Sequence, residues 1–67
     1  MKYEKLSKNI IEAVGGSNNI VTLQHCMTRL RFTLKDESKA NDQKIEAIDG
    51  VLSLIKKGGQ YQVVIGT

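Results

Sequence analysis

Cys26 is the only cysteine in the chain, and Met27-Thr28-Arg29-Leu30-Arg31 after it places a hydroxyl and two guanidinium groups within five positions of the thiol. A thiolate is the nucleophilic form of cysteine, and neighbouring cations favour it. At an effective dielectric near 20, a unit charge about 4 Å away is worth around 4 kcal/mol. Arg29 and Arg31 are two apart, so in a strand they share a face, separated by about 6.6 Å at a rise near 3.3 Å per residue. Arginine presents a rigid fork of donors suited to oxyanions, including a phosphoryl group carried on sulfur. The backbone N–H groups of Met27, Thr28 and Arg29, with the Thr28 hydroxyl, add an anion-holding concavity. The chemistry expected is nucleophilic capture of an anionic group by Cys26, held by Met27, Thr28, Arg29 and Arg31.

Plainer readings stand beside this one. A single cysteine is often a small buried hydrophobe, but Cys26 lies in a polar connection, and loops disproportionately carry function. Alternating arginines are often a solvated strand face. His25 suggests a Cys–His pair, yet adjacent strand residues point to opposite faces, so a simple strand-end histidine is expected. Gly58-Gly59 lacks the Gly-Lys-Ser/Thr and following helix of a phosphate loop and reads as a hairpin turn, solvated by Lys56 and Lys57. No Cys/His cluster is present to hold a metal.

The elements that position these residues follow from periodicity. Tyr3, Leu6, Ile10, Ala13 and Val14 form one stripe, predicting a helix over 3–14 that Gly15-Gly16 ends. Ser17-Asn18-Asn19 is a polar turn. From Ile20 the period becomes two: Val21 and Leu23 alternate with Thr22 and Gln24 in a strand ending near His25. Leu30, Phe32 and Leu34 oppose Arg29, Arg31 and Thr33 in a second strand, with Cys26 in the tight connection between them. After a polar loop over 35–40, Asn41 caps a short helix with Ile45 and Ile48 inward. Val51 to Ile55 and Gln60 to Ile65 form a second hairpin about Lys56-Lys57-Gly58-Gly59.

The expected fold is α+β in α-β-β-α-β-β order, a four-stranded antiparallel sheet with helices on one face. The predicted core is Leu6, Ile10, Val14, Val21, Leu23, Leu30, Phe32, Ile45, Ile48, Val63 and Ile65, with Tyr61, Val63 and Ile65 as sheet packing. Residues 1–67 make a single domain with a thin stability margin. No apolar stretch approaches the roughly 20 residues that cross a bilayer. No secretory leader is visible, and an unbridged thiol suits a reducing compartment, so the cytoplasm is expected. The net charge of +3 suits a surface that meets anions. Three aromatics, Tyr3, Phe32 and Tyr61, are too few for a base-stacking surface.

His25-Cys26-Met27-Thr28-Arg29-Leu30-Arg31-Phe32 resembles the phosphorylation segment of the enzyme IIB domains of the bacterial phosphoenolpyruvate–sugar phosphotransferase system. The likeness is to the glucose-family branch that includes β-glucoside, sucrose and trehalose permeases. It extends to Gly15-Gly16-Ser17-Asn18-Asn19-Ile20, Leu34-Lys35-Asp36, Gly50-Val51 and Gly58-Gly59-Gln60-Tyr61-Gln62-Val63-Val64-Ile65-Gly66. The resemblance implies that a phosphohistidine on a IIA domain donates to Cys26. The phosphocysteine then donates to a sugar bound in a membrane IIC domain, with no metal or organic cofactor. It also implies a location at the cytoplasmic face of the bacterial inner membrane, and β-glucosides as the first sugar to test. IIB domains of this kind continue into a third helix after the fourth strand, so the chain is expected to be a soluble domain excised from a larger permease.

Two other functions remain to be separated from this one. A redox-sensing thiol domain fits an exposed cysteine but lacks a resolving partner. A small basic RNA-binding module fits the charge but lacks stacked aromatics. Exchanging Cys26 for serine distinguishes them, since only RNA binding survives the change.

Overall fold

The computed structural model of the chain describes residues 4–66. Its elements are α1 (Glu4–Ala13), β1 (Ile20–Cys26), β2 (Arg29–Leu34), α2 (Asp42–Ala47), β3 (Val51–Lys57) and β4 (Gln60–Ile65). Single 3-10 turns at Ser17–Asn19 and Glu37–Lys39 join them. The strands form one antiparallel sheet in the order β1-β2-β4-β3. The α+β fold and its element order are those read from the sequence. Tyr3 and Thr67 lie outside the described residues.

The end of α1 shows how local chemistry sets the path of the chain. The Gly16 N–H donates to the Ile11 carbonyl at 2.9 Å and the Gly15 N–H to that of Glu12 at 3.2 Å, the paired bonds of a Schellman stop. Gly15 has φ 109°, and a Cβ there would meet Asn19 Nδ2 at 2.7 Å, so glycine is required for both conformation and space. Asn19, read from the sequence as part of a polar turn, is only 3% exposed. Its amide donates to the carbonyls of Val14 (2.8 Å) and Asp36 (2.9 Å) and accepts from the Asp36 N–H (2.9 Å). One buried side chain thus ties the end of α1 to the exit of β2.

The core lies between the helices and one face of the sheet. Ile10, Ala13 and Val14 from the α1 region and Ile45 from α2 meet Phe32, Leu34, Tyr61 and Val63. Asn41 caps α2 as expected, its Oδ1 accepting from the Lys44 N–H at 3.0 Å. Leu6, Leu30, Ile48 and Ile65 are half-buried at the margin of this cluster.

Two expected core residues are corrected. Val21 is 55% exposed, because the register shifts between Ile20 and Thr22 and the bulge turns its side chain outward. Leu23 pairs with Phe32 and shares the core face, yet is 47% exposed, because β1 is an edge strand and the core centres on β2 and β4. Leu34 and Tyr61 complete the core instead. The hairpin boundaries also shift. Lys56 and Lys57 belong to β3, and the turn is Gly58-Gly59 alone, both residues with positive φ, as a type I′ turn requires.

A polar tie holds α2 to the sheet. Lys56 Nζ meets Asp42 Oδ2 at 2.6 Å, and the Tyr61 hydroxyl donates to Asp42 Oδ1 at 2.9 Å. These bonds, Lys56 first, hold the Asp42 carboxyl below the usual carboxylate range. Hydrogen bonds from Ser38 do the same for Asp36. Bonding to Asp42 raises Lys56, while burial followed by the Asp42 bond raises Tyr61.

The signs predict two limbs. The contribution of depressed Asp42 and Asp36 is fully present above about pH 4 and fades as pH falls through their lowered values. That of raised Lys56 and Tyr61 is fully present below about pH 10 and fades as pH rises through their raised values. In urea titrations, wild type is therefore expected to lose more stability between pH 7 and pH 3 than Asp42→Asn. Parallel curves for the two proteins would mean that the tie contributes nothing.

Candidate functional site

The candidate residues converge on the tip of the β1–β2 hairpin. Cys26 is the last residue of β1 rather than a turn residue, and it pairs directly with Arg29, the first residue of β2. Directly opposed residues of an antiparallel pair share a face. Cys26 and Arg29 therefore lie together on the side of the sheet away from the helices, and Arg31, opposite Gln24, lies on that same side. The thiol is free and exposed. The strand parity read from the sequence places Arg29 and Arg31 as expected.

Only Met27 and Thr28 form the turn. Met27 has φ 55°, a left-handed conformation that costs a non-glycine residue about 1–3 kcal/mol, and its side chain is 87% exposed. Two contacts hold the turn in place. His25 Nε2 donates to the Met27 carbonyl at 2.9 Å, and the Thr28 carbonyl accepts from the Ile65 N–H at 2.8 Å. His25 pairs with Leu30 on the opposite face from Cys26, so its ring supports the turn rather than facing the thiol. Among the described residues, the N–H groups of Met27 and Thr28 donate to no backbone acceptor.

The two arginines differ in their surroundings. Arg29 Nη1 donates to Gln62 Oε1 at 3.0 Å. Gln62, from β4, is 8% exposed, and its Nε2 donates to Gln60 Oε1 at 3.4 Å. Arg31 Nε is buried and has no acceptor among the described residues. A buried donor left unpaired costs about 1–3 kcal/mol.

Both arginines border two recesses on this face. One, of about 300 Å3, is lined by Cys26, Met27, Thr28, Arg29 and Arg31. The other, of about 510 Å3, continues over Ile55, Lys57, Gly58, Gln60 and Gln62. A larger, mainly apolar recess along α1, beside Lys8, Ile11 and Gly16, contains none of these residues.

The electrostatics of the face are one-sided. None of the seven acidic residues of the chain falls in a strand, whereas Arg29, Arg31 and Lys57 line this face; Lys56 lies on the helix side, paired with Asp42. A thiol beside this uncompensated positive field is suited to nucleophilic attack on an anionic group and to holding the product. The contact of Gln62 with Arg29 was missed in the sequence. Its only signal there is a pair of glutamines, Gln60 and Gln62, alternating with the apolar residues of β4.

Comparison with known proteins gives the site a context. Residues 8–41 match the family model described as phosphotransferase system, EIIB. The chain is 58% identical over 66 residues to the β-glucoside-specific EIIBCA component of Halalkalibacterium halodurans, covering 98% of this chain and 10% of that protein. It is 45% identical over 67 residues to the sucrose-specific EIIBC component of Bacillus subtilis, and 50% over 65 to the trehalose-specific EIIBC component of the same organism. These alignments cover 100% and 97% of this chain, and 14% of each relative. The chain thus spans only a tenth to a seventh of the length of these proteins. The crystal structure of one domain of the PTS system IIabc component from Clostridium difficile superposes with TM-score 0.88 at 41% identity. That alignment covers 98% of this chain and 68% of the crystallised one.

Proposed function

This chain belongs to the EIIB family of the phosphotransferase system, and we propose that within it Cys26 is the residue that carries the phosphoryl group during sugar uptake. The Cys26 thiolate attacks the phosphorus of a phosphohistidine on a IIA domain. An S–P bond forms as the N–P bond breaks, and the histidine nitrogen keeps the bonding pair. A hydroxyl of a sugar bound in a membrane IIC domain then attacks the same phosphorus. The S–P bond breaks, the thiolate returns, and the hydroxyl proton passes to a base on the acceptor side. Phosphoryl transfer depends mainly on positioning and charge stabilisation, which a small domain can supply.

The observation that carries this reading is the Cys26–Arg29 pair closing the hairpin, with Arg31 next along the same face and its buried Nε–H unpaired. A phosphoryl oxygen would supply the missing acceptor. The N–H groups of Met27 and Thr28, without a backbone acceptor among the described residues, stand with the Thr28 hydroxyl at the same tip to bind further oxygens. The relatives named EIIBC and EIIBCA join this domain to C and A components, which supports IIA as donor and IIC as acceptor. Work at the cytoplasmic face of the bacterial inner membrane follows from that partnership. A β-glucoside is the first sugar to test, given the 58% identity to a β-glucoside-specific relative, with sucrose and trehalose next.

Intact-mass measurement after incubation with a phosphohistidine-loaded IIA protein tests the reading. The chain should gain one phosphoryl group and lose it when membranes bearing the IIC partner and its sugar are added. Absence of any gain from a cognate donor would refute the reading. Arg29→Ala and Arg31→Ala should still load, because loading needs mainly the thiolate. Their transfer to sugar should fall on the order of a hundredfold, the usual consequence of removing one preorganised donor to developing charge. Transfer at the wild-type rate by both variants would exclude the arginines from the site.

A further inference from the structure

We infer that Gln62 is a positioning residue for phosphoryl transfer, holding the Arg29 guanidinium beside Cys26 without neutralising its charge. The inference rests on the carrier function proposed above. An arginine side chain carries about 2 kcal/mol of rotamer entropy, so a guanidinium at a hairpin tip needs a fixed partner to keep one orientation. Among the described residues the only acceptor of Arg29 is Gln62 Oε1, at 3.0 Å. Gln62 is itself immobilised, being 8% exposed in β4 and donating from its amide nitrogen to Gln60. Guanidinium groups only donate, so the oxygen of the Gln62 amide must face Arg29. The orientation of the amide therefore follows from chemistry.

The neutrality of the acceptor is the second part of the argument. A carboxylate at this position would hold Arg29 equally well, but it would cancel the cation and repel a phosphoryl dianion. An amide supplies the acceptor without the charge. The absence of acidic residues from all four strands fits the same requirement. Gln62 reaches Arg29 on the diagonal, since Arg31 is its direct partner in the β2–β4 ladder and Arg29 pairs with Val64.

The test uses the full chain, a phosphohistidine-loaded IIA donor, and membranes bearing the IIC partner with labelled sugar. Gln62→Leu keeps the volume and removes the acceptor. It is expected to load at the wild-type rate and to transfer roughly ten- to a hundredfold more slowly, the range for a displaced catalytic group. In the Arg29→Ala background the same change should cost nothing more, since the two residues act as one unit. Gln62→Glu keeps both shape and acceptor. Its transfer should be impaired at neutral pH and recover as the carboxylate is protonated on acidification, relative to the wild-type pH profile. A purely structural role would move neither the coupling nor the pH profile.

Wild-type transfer by Gln62→Leu, losses that multiply with Arg29→Ala, or a Gln62→Glu profile parallel to wild type would each overturn the inference. If Gln62→Leu does not fold, the pH profile of Gln62→Glu decides the matter. Wild-type transfer by Arg29→Ala would likewise overturn the inference. Failure of the carrier function has a separate signature, no phosphoryl gain by wild type from a cognate donor or phosphoryl gain by Cys26→Ser, and it would remove this inference with it.

Discussion

Replacing Cys26 by serine is expected to abolish phosphoryl loading completely while leaving the fold intact. The thiol is exposed and closes a hairpin held by other contacts: the His25–Met27 bond, the Thr28–Ile65 bond and the pairing of β2 with β4. A surface exchange of sulfur for oxygen there should change stability by no more than about 0.5 kcal/mol. The chemical effect is of another order. A serine hydroxyl holds its proton far more firmly than a thiol and needs an adjacent general base to become a nucleophile. His25 faces the other side of the sheet, and none of the acidic residues lies in a strand. The measurement is intact mass after exposure to the phosphohistidine donor, with thermal unfolding followed by circular dichroism as the control for fold. A folded serine variant that still gains a phosphoryl group would move the acceptor to another residue. The same variant tests the rivals. Loss of thiol reactivity alone, with no phosphoryl gain by wild type, would favour a redox function, and RNA binding that survives the exchange would favour a nucleic-acid function.

Phe32→Ala is expected to remove most of the stability of the domain. Phe32 is 1% exposed and lies between Leu23 of β1 and Tyr61 of β4, against Ile10, Val14 and Ile45. Truncating a buried phenylalanine costs about 3–5 kcal/mol, from lost transfer energy and the cavity left behind. A domain of this length has a total stability of about 3–10 kcal/mol, so the variant should be largely unfolded or melt far below wild type. Phe32 also sits one residue from Arg31 on the same strand and points the opposite way. Core packing on one face therefore fixes the strand that presents the guanidinium groups on the other. Urea unfolding followed by circular dichroism reads the effect. An unfolding free energy within about 1 kcal/mol of wild type would mean that the core is not centred on β2.

Much of the site was legible because strand parity is a local property. Once β2 is recognised from Leu30, Phe32 and Leu34, Arg29 and Arg31 must share the other face, and the tight connection must bring Cys26 beside them. The stop of α1 at Gly15-Gly16, the Asn41 cap and the span of β4 were legible for the same reason, since each depends on residues within one turn or one strand. Val21 misled because a bulge breaks parity, and nothing in its immediate neighbours marks one. Leu23 misled because alternation reveals which face a residue takes but not whether that face is covered, and β1 lies at the edge.

By itself, then, the sequence determined the elements, the single thiol and the cations beside it, because those depend on residue type and short-range periodicity. Tertiary structure alone decided what spans distant segments. Asn19 became a buried tie only when the end of α1 met Asp36, 17 residues further along the chain. Gln62 came to hold Arg29, 33 residues away, only through the register of β2 against β4. Long-range pairing is set by the packing of the whole core and by which strand falls at the edge. No window of adjacent residues contains that information.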